Sequence, residues 1–109
     1  MTRASLEGLW IAFVHVAPTD SSAPIAGAAG AYSNVVGAAL DRDSFVRKLA
    51  KAAADLNLHL LEVEDVEQLS QRLRNWQVDP EIHELARDAS TEPKVIHFGT
   101  FHTYAETDG

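Results

Sequence analysis

The sequence predicts one α+β domain, in which a β-sheet packs against helices. Its 109 residues are enough for one ordinary domain and too few for two. Apolar residues make up 46% of the chain, a share typical of globular proteins rather than disordered ones. Short apolar runs rich in β-branched residues alternate with segments whose apolar residues recur at helical spacing, and this alternation predicts both kinds of element.

The first part of the chain predicts two strands joined by a long loop. Residues 9–17 are mostly apolar, with aromatic and β-branched members, and Pro18 follows them; this is the pattern of a strand covered on both faces. The segment 18–30 contains prolines, glycines and serines and is predicted to be a loop, of a length that is often functional. Residues 31–40 are predicted to form a second strand, although Gly37 weakens the pattern.

The strongest helix signal covers residues 42–56. Asp41 stands where an N-cap is expected, and Asn57 can adopt the left-handed conformation that ends a helix. The apolar stripe of this helix consists of Phe45, Leu49, Ala52, Ala53 and Leu56. Leu49 lies at the centre of the stripe and is therefore expected to be fully buried.

A third strand and a second helix are predicted next. Residues 58–63 are apolar enough for a strand. Asp65 and Gln68 then resemble a capping box. They predict a helix over 66–75, whose apolar face extends to Trp76.

The last part predicts a short helix and a final strand. Asp79 and Pro80 form a helix start, with proline at the first helical position, and the helix is expected over 80–89. Residues 95–104 are predicted to form the last strand. The resulting order, β-β-α-β-α-α-β, favours a two-layer sandwich with a mixed sheet of about four strands and the helices on one face. This arrangement is ferredoxin-like in style.

Composition excludes several classes of function. The net charge of −7 disfavours binding to nucleic acid or to anionic membranes, and it suits a basic protein partner. The chain has no cysteine, which removes thiolate catalysis and disulfides. The apolar run 9–17 is too short to span a membrane, and we expect a cytoplasmic protein.

Motifs of catalysis and cofactor binding are absent from the sequence. Gly27 and Gly30 precede a predicted strand rather than a helix and have no accompanying lysine, so they do not predict a phosphate-binding loop. His83 and Glu84 begin a zinc-protease pattern, but Arg87 stands where the second imidazole is needed. No Gly-x-Ser-x-Gly sequence occurs. We therefore expect no cofactor, and an enzyme is the less favoured class.

The histidines provide one candidate site. His97 and His102 are five residues apart and point to opposite faces of a regular strand, unless a bulge at Gly99 brings them together. No complete ligand set is visible, so no bound metal is expected. A buried, hydrogen-bonded core histidine is the usual explanation for each of these histidines. The alternative is a small binding site made of four residues: His15, Tyr32, Asn34 and His102.

Two carboxylates accompany these histidines in the predicted sheet. Glu62 and Glu64 share one face of the third strand because side chains alternate along a strand. A solvated face explains this pair more simply than a catalytic one.

Two functions remain open at this stage. The first is a small, acidic, non-catalytic binding or regulatory protein, of the inhibitor or immunity type, that acts through a protein partner. The alternative is a small-ligand-binding protein or cofactor-free enzyme with a histidine- and tyrosine-lined pocket on the open sheet face. We also expect a homodimer, because the strands 9–17 and 95–104 are apolar on both faces and one face must be covered. The alternative is that the 18–30 loop covers this face of the sheet.

Overall fold

A computed structural model describes residues 8–75 and 79–105 of the chain. In that part of the chain, five strands form an open antiparallel sheet accompanied by three helices. The elements are β1 (Leu9–Pro18), β2 (Gly30–Ala38), α1 (Arg42–Asp55), β3 (Leu58–Gln68), α2 (Leu69–Asn75), α3 (Pro80–Thr91), β4 (His97–Phe98) and β5 (His102–Tyr104). The predicted α+β class is confirmed.

The sheet differs from the predicted one in the direction of its strands. Its strands lie in the order β3-β1-β2-β4, with β5 also paired to β2. All described pairs are antiparallel, so the prediction of a mixed sheet is wrong. The reason is that β1 and β2 pair directly as a hairpin across the 18–30 loop, and β3 returns antiparallel on the other side of β1. A ferredoxin-like arrangement is not confirmed.

Helices cover parts of both sheet faces, which corrects the prediction that they share one face. On the first face, the side chains of Val14, Val16 and Val35 pack with Phe45 and Leu49 of α1. On the second face, a separate cluster joins β1 and β2 to α2 and α3; its buried members are Leu9, Ile11, Val36, Leu69, Ile82, Leu85, Ala86 and Ala89. Most apolar residues on both sides of β1 are therefore covered by other parts of the chain, and Leu49 is fully buried as predicted.

The loop between β1 and β2 contributes to the first cluster. Ala23 and Ile25 are buried there. At its start, the backbone N–H and the hydroxyl of Thr19 both donate to the Asn57 carbonyl, at 2.9 Å each. Asn57 has a φ of 59°, the left-handed conformation predicted at the end of α1. The loop therefore packs against the core while it connects the hairpin.

The predicted starts of α1 and α3 are confirmed in detail. The Asp41 carboxylate accepts a hydrogen bond from the Ser44 N–H at 2.8 Å, and this bond holds the pKa of Asp41 below its ordinary value. Asp79 caps α3 by accepting from the Glu81 N–H at 2.9 Å, with Pro80 in the first turn. The predicted contribution of Trp76 to the α2 face lies outside the described residues.

The boundary between β3 and α2 is later than predicted, because the strand continues to Gln68. Between the pairs Ile11–Glu67 and Phe13–Glu64, β3 holds one residue more than β1. Asp65 has a φ of 54° at this bulge, a conformation that aspartate tolerates better than most residues. Pairing with β1 overrides the local capping signal, and the helix begins only at Leu69.

The predicted last strand is interrupted. β4 pairs with β2 through His97 and Phe98, whereas β5 pairs further along it. Between them, the Glu81 carboxylate of α3 accepts hydrogen bonds from the Thr100 N–H at 3.0 Å and the Thr100 hydroxyl at 2.5 Å. A Cβ added to Gly99 would overlap the Glu81 side chain. The break therefore exists where α3 is attached to the sheet.

Candidate functional site

The half of the second sheet face that α2 and α3 do not cover carries aromatic side chains. Phe13 and His15 follow the covered residues Leu9 and Ile11 on the same side of β1, since side chains alternate along a strand. Tyr32 and Tyr104 lie beside them on β2 and β5, and each tyrosine is 39% exposed. We call this surface, made of Phe13, His15, Tyr32 and Tyr104, the aromatic face.

Strand register places all four residues predicted from the sequence on this side of the sheet. His15 pairs with Tyr32, and Phe13 pairs with Asn34. His102 pairs with Tyr32 from the opposite strand. Because directly paired residues of antiparallel strands share a face, His15, Tyr32, Asn34 and His102 point to one side. That they form a functional site stays a prediction.

The rings of the aromatic face contact one another in a layer. The His15 and Tyr32 rings stack with centroids 4.4 Å apart and planes 14° apart. Phe13 stacks on Tyr32 at 5.6 Å, and the Tyr104 ring lies tilted against His15 and Tyr32 at 5.6 and 5.9 Å. These distances are in the range in which aromatic pairs attract beyond simple burial. The layer is therefore preformed rather than assembled from independent side chains.

A hydrogen bond between Tyr104 and His15 fixes the edge of the layer. The Tyr104 oxygen lies 2.5 Å from Nε2 of His15. Gly30 makes room for this contact, because a Cβ at that position would overlap the Tyr104 phenol and come within 2.9 Å of the Val16 carbonyl oxygen. When Tyr104 donates, Nε2 accepts and the imidazole hydrogen resides on Nδ1.

Two carboxylates of β3 border the aromatic face. Glu62 pairs with His15 and Glu64 with Phe13, and the Glu62 Oε1 atom lies 3.8 Å from His15 Nδ1. That nitrogen is buried and has no hydrogen-bond partner among the described residues. A hydrogen bond with Glu62, together with its negative charge, raises the pKa of Glu64. The border is therefore a site of concentrated negative charge.

The site predicted from the sequence and the aromatic face differ in their members. Asn34 and His102 lie on the same side of the sheet as the aromatic face, but no ring contact or side-chain hydrogen bond joins either of them to His15 within the described ranges. Phe13 and Tyr104 were not predicted as members, although the alternation of residues 9–17 places Phe13 beside His15. Glu62 and Glu64 were recognised as sharing a face but were assigned to a solvated surface.

The part of the chain covering residues 8–75 and 79–105 holds no group of three or more potential metal ligands. His97 and His102 pair with Val36 and Tyr32, which lie on the same face of β2, so the break at Gly99 turns both histidines to one side. His97 instead contacts the Glu92 carbonyl at 3.0 Å. The structure thus provides no third ligand for this pair among the described residues.

A groove of about 540 Å³ lies between residues 24–28 and the final strand. Of the aromatic face, Tyr104 alone lines this groove, together with Phe101, Thr103 and Ala105. His15 and Tyr32 instead form part of the sheet surface itself.

Comparison with protein-family models, curated proteins and solved structures finds no match to this chain. Among the described residues, no helix is both long and apolar enough to cross a membrane. Interpretation of the site therefore depends on its own geometry and chemistry.

Proposed function

We propose that this protein is a non-catalytic binding protein whose aromatic face receives a basic side chain of a protein partner. The observation that carries the proposal is the aromatic face itself: a preformed layer of three aromatic rings and an imidazole, left uncovered by the helices and bordered by Glu62 and Glu64.

Shape supports a macromolecular partner. His15 and Tyr32 lie on a sheet surface rather than in the groove beside β5, whereas small-molecule sites are usually concave. Tyrosine is enriched among the residues that dominate protein–protein binding, because it offers a large rigid surface with a polar end. Tyr32 and Tyr104, partly exposed and held in place by their neighbours, have these properties.

Charge supports a basic partner. A cation placed over an aromatic ring is attracted to the ring face, and an arginine can stack on the ring while its N–H groups meet a carboxylate. Glu62, with 60% of its side chain exposed, and Glu64 are available at the border. The overall charge of −7 would also attract a basic protein over a longer range.

Titration with a short arginine- and glycine-containing peptide tests the proposal. We expect saturable binding that weakens as salt increases, detected calorimetrically and by perturbed NMR signals of Tyr32. Replacing both carboxylates, Glu62→Gln with Glu64→Gln, should weaken binding about tenfold or more. Equal binding of a glutamate-containing peptide, or binding indifferent to salt, would contradict the proposal.

A matched control separates the aromatic face from general surface hydrophobicity. Tyr32→Ser should weaken peptide binding, whereas Leu40→Ser removes an apolar side chain that is 97% exposed elsewhere and should leave it unchanged. Equal effects of the two substitutions would show that the peptide binds without using the aromatic face.

A second candidate function is general acid–base catalysis on a small ligand. The observation favouring it is the row Glu62–His15–Tyr104, in which the imidazole lies between a carboxylate and a phenol. Such a row can move a proton between the phenol and a bound ligand. Tyr104→Phe distinguishes the two functions, because it keeps the ring for cation binding and removes the hydroxyl needed for proton transfer.

The predicted homodimer stays a proposal, and less uncovered apolar surface supports it than the sequence predicted. Helices and the 18–30 loop cover most of the apolar surface of β1 and β2, so the surfaces proposed for a second copy are the aromatic face and the edge strand β3. Light scattering at micromolar concentration distinguishes a mass near 11.9 kDa from twice that value.

A further inference from the structure

All three lysines of the chain line one pocket. The pocket has a volume of about 300 Å³ and lies beside α1, which packs on the sheet face opposite the aromatic face. Lys48 and Lys51 come from successive turns of α1, and Lys94 comes from the segment before β4. In a chain with a net charge of −7, this convergence creates a local region of the opposite sign.

The charges in the pocket leave a net positive site. Among residues 8–75 and 79–105, Asp55 is the only carboxylate that lines it, and its Oδ2 atom lies 3.4 Å from the Lys51 Nζ atom. Both partners are largely exposed, so this pair contributes little to stability. Lys94 makes no hydrogen bond or ion pair with any of residues 8–75 or 79–105. Three ammonium groups against one carboxylate leave two positive charges.

Hydrogen bonds hold the ammonium group of Lys48 in place in the pocket. Its Nζ atom donates to the carbonyl oxygens of Ala38, at 2.7 Å, and Pro93, at 3.2 Å. These bonds hold the ammonium group between the end of β2 and the segment that carries Lys94. An ammonium group has three N–H donors, so one remains for a ligand.

The remaining lining of the pocket is apolar. Ala52, Val95 and Ile96 form it; Ile96 belongs to the core, whereas Val95 is 49% exposed. A β-branched side chain left half exposed beside lysines offers an apolar surface to a ligand rather than to the core. The site therefore combines positive charge with a small apolar wall.

We propose that this pocket binds a small phosphate monoester with an apolar organic group. Such a phosphate carries a charge of about −1.5 to −2 at neutral pH, which matches the two positive charges of the pocket, and ammonium groups are good point-charge partners for phosphate. The organic group packs on Val95 and Ala52. The volume is at the small end of the range of ligand pockets, which fits a small molecule. This site is independent of the aromatic face.

Titration of the whole protein with phenyl phosphate tests the proposal. We expect saturable shifts of the Ile96 and Val95 methyl signals in NMR spectra. Lys94→Gln and Lys51→Gln should each raise the dissociation constant about threefold or more. The matched control is Arg87→Gln, which removes the same charge from an exposed position of α3 and should change the constant less than either lysine variant.

Two outcomes would overturn the proposal. One is the absence of saturable methyl shifts with phenyl phosphate in the wild-type protein. The other is equal weakening by Lys94→Gln and Arg87→Gln, which would show that only overall charge matters. A separate substitution tests the apolar wall. Val95→Ser should weaken the binding of phenyl phosphate more than the binding of inorganic phosphate, and equal weakening would contradict the proposed contact with the organic group.

Discussion

The second face of the sheet has two halves that share strands but differ in cover. In the covered half, Leu9, Ile11 and Val36 are aliphatic and lie under α2 and α3. In the uncovered half, Phe13, His15 and Tyr32 continue the same alternation, with rings in place of aliphatic chains. The strand pattern alone does not distinguish them, because both halves place non-polar surface on the same side.

The difference lies in what each set of side chains can do when exposed. Aliphatic side chains gain stability only by leaving water. Tyrosine and histidine have an apolar body and a polar edge, so they remain partly solvated at lower cost and keep groups for binding. The uncovered half is therefore the part of the face for which we propose a partner. Substitutions that affect the two halves differently test this division.

The largest expected effect is in the covered half. Ile11 is fully buried, so Ile11→Ala should lower the free energy of unfolding by about 2–5 kcal/mol through lost burial and a cavity. Phe13→Ala, two residues further on the same face, should cost less, about 1–2 kcal/mol, because the ring is only partly buried. Denaturant titration of both variants measures the difference. Equal losses would show that the two halves are packed alike.

The next effect concerns the space that Gly30 leaves for Tyr104. Gly30→Ala should displace the phenol and destabilise the protein by about 1–3 kcal/mol, since a Cβ there has no room. The His15 ring signals in NMR spectra should shift as the hydrogen bond from Tyr104 is lost.

The same substitution in a Tyr104→Ser background provides the control. In that background, Gly30→Ala should destabilise the protein less, because the added Cβ then meets only the Val16 carbonyl oxygen. A double-mutant cycle with no coupling would contradict the packing of Tyr104 over Gly30.

A smaller effect is expected for the Tyr104 hydroxyl. Tyr104→Phe should cost about 0.5–1.5 kcal/mol, the usual net contribution of one hydrogen bond. Tyr32→Phe is the matched control, because its hydroxyl makes no hydrogen bond within residues 8–75 and 79–105, and it should change stability by less than about 0.5 kcal/mol. Thermal unfolding measures the stability of the two variants. A larger loss of stability for Tyr32→Phe than for Tyr104→Phe would contradict the hydrogen bond assigned to the Tyr104 hydroxyl.

The smallest effect is the pH dependence contributed by Glu64. Because Glu62 raises its pKa, the folded state holds this proton more tightly than the unfolded chain does. Its contribution to stability therefore falls as pH rises from the ordinary glutamate pKa through the raised one. Glu62→Ala should lower the pKa of Glu64, as followed by its carboxyl carbon signal in NMR spectra. An unchanged titration would exclude the coupling between the two carboxylates.

Local signals in the sequence predicted much of the secondary structure. Asp41 and Asp79 mark helix starts through a side chain that caps nearby N–H groups, and Asn57 ends α1 through its own backbone conformation. These effects involve residues only a few positions apart, which is why sequence patterns reveal them.

Features that depend on strand pairing were not predictable in the same way. Asp65 and Gln68 have the spacing of a helix cap, yet both lie in β3 because pairing with β1 extends the strand. The attachment of Thr100 to Glu81 interrupts the last strand; Gly99 indicates a possible bulge there, but nothing in the sequence indicates the contact with Glu81. Which helices cover each sheet face likewise depends on where α1, α2 and α3 pack against the sheet, rather than on the composition of β1.

The candidate site was also only partly predictable from local sequence patterns. His15 and Tyr32 could be nominated because rings and imidazoles are chemically distinctive, and the register of β1 and β2 places them together. Tyr104 lies 89 residues from its hydrogen-bond partner His15. Its place over Gly30 depends on the pairing of β5 with β2, which no local pattern encodes.

The hydrogen bonds from Thr100 to Glu81 have a consequence for local unfolding. Glu81 belongs to the first turn of α3, which covers one half of the face. Thr100 lies two residues before β5, which carries Tyr104 into the other half. Opening of α3 should therefore release β5 as part of the same cooperative unit. Amide hydrogens of α3 and β5 should then exchange with solvent at a common rate, and Glu81→Gln should accelerate exchange in both segments while leaving α1 protected.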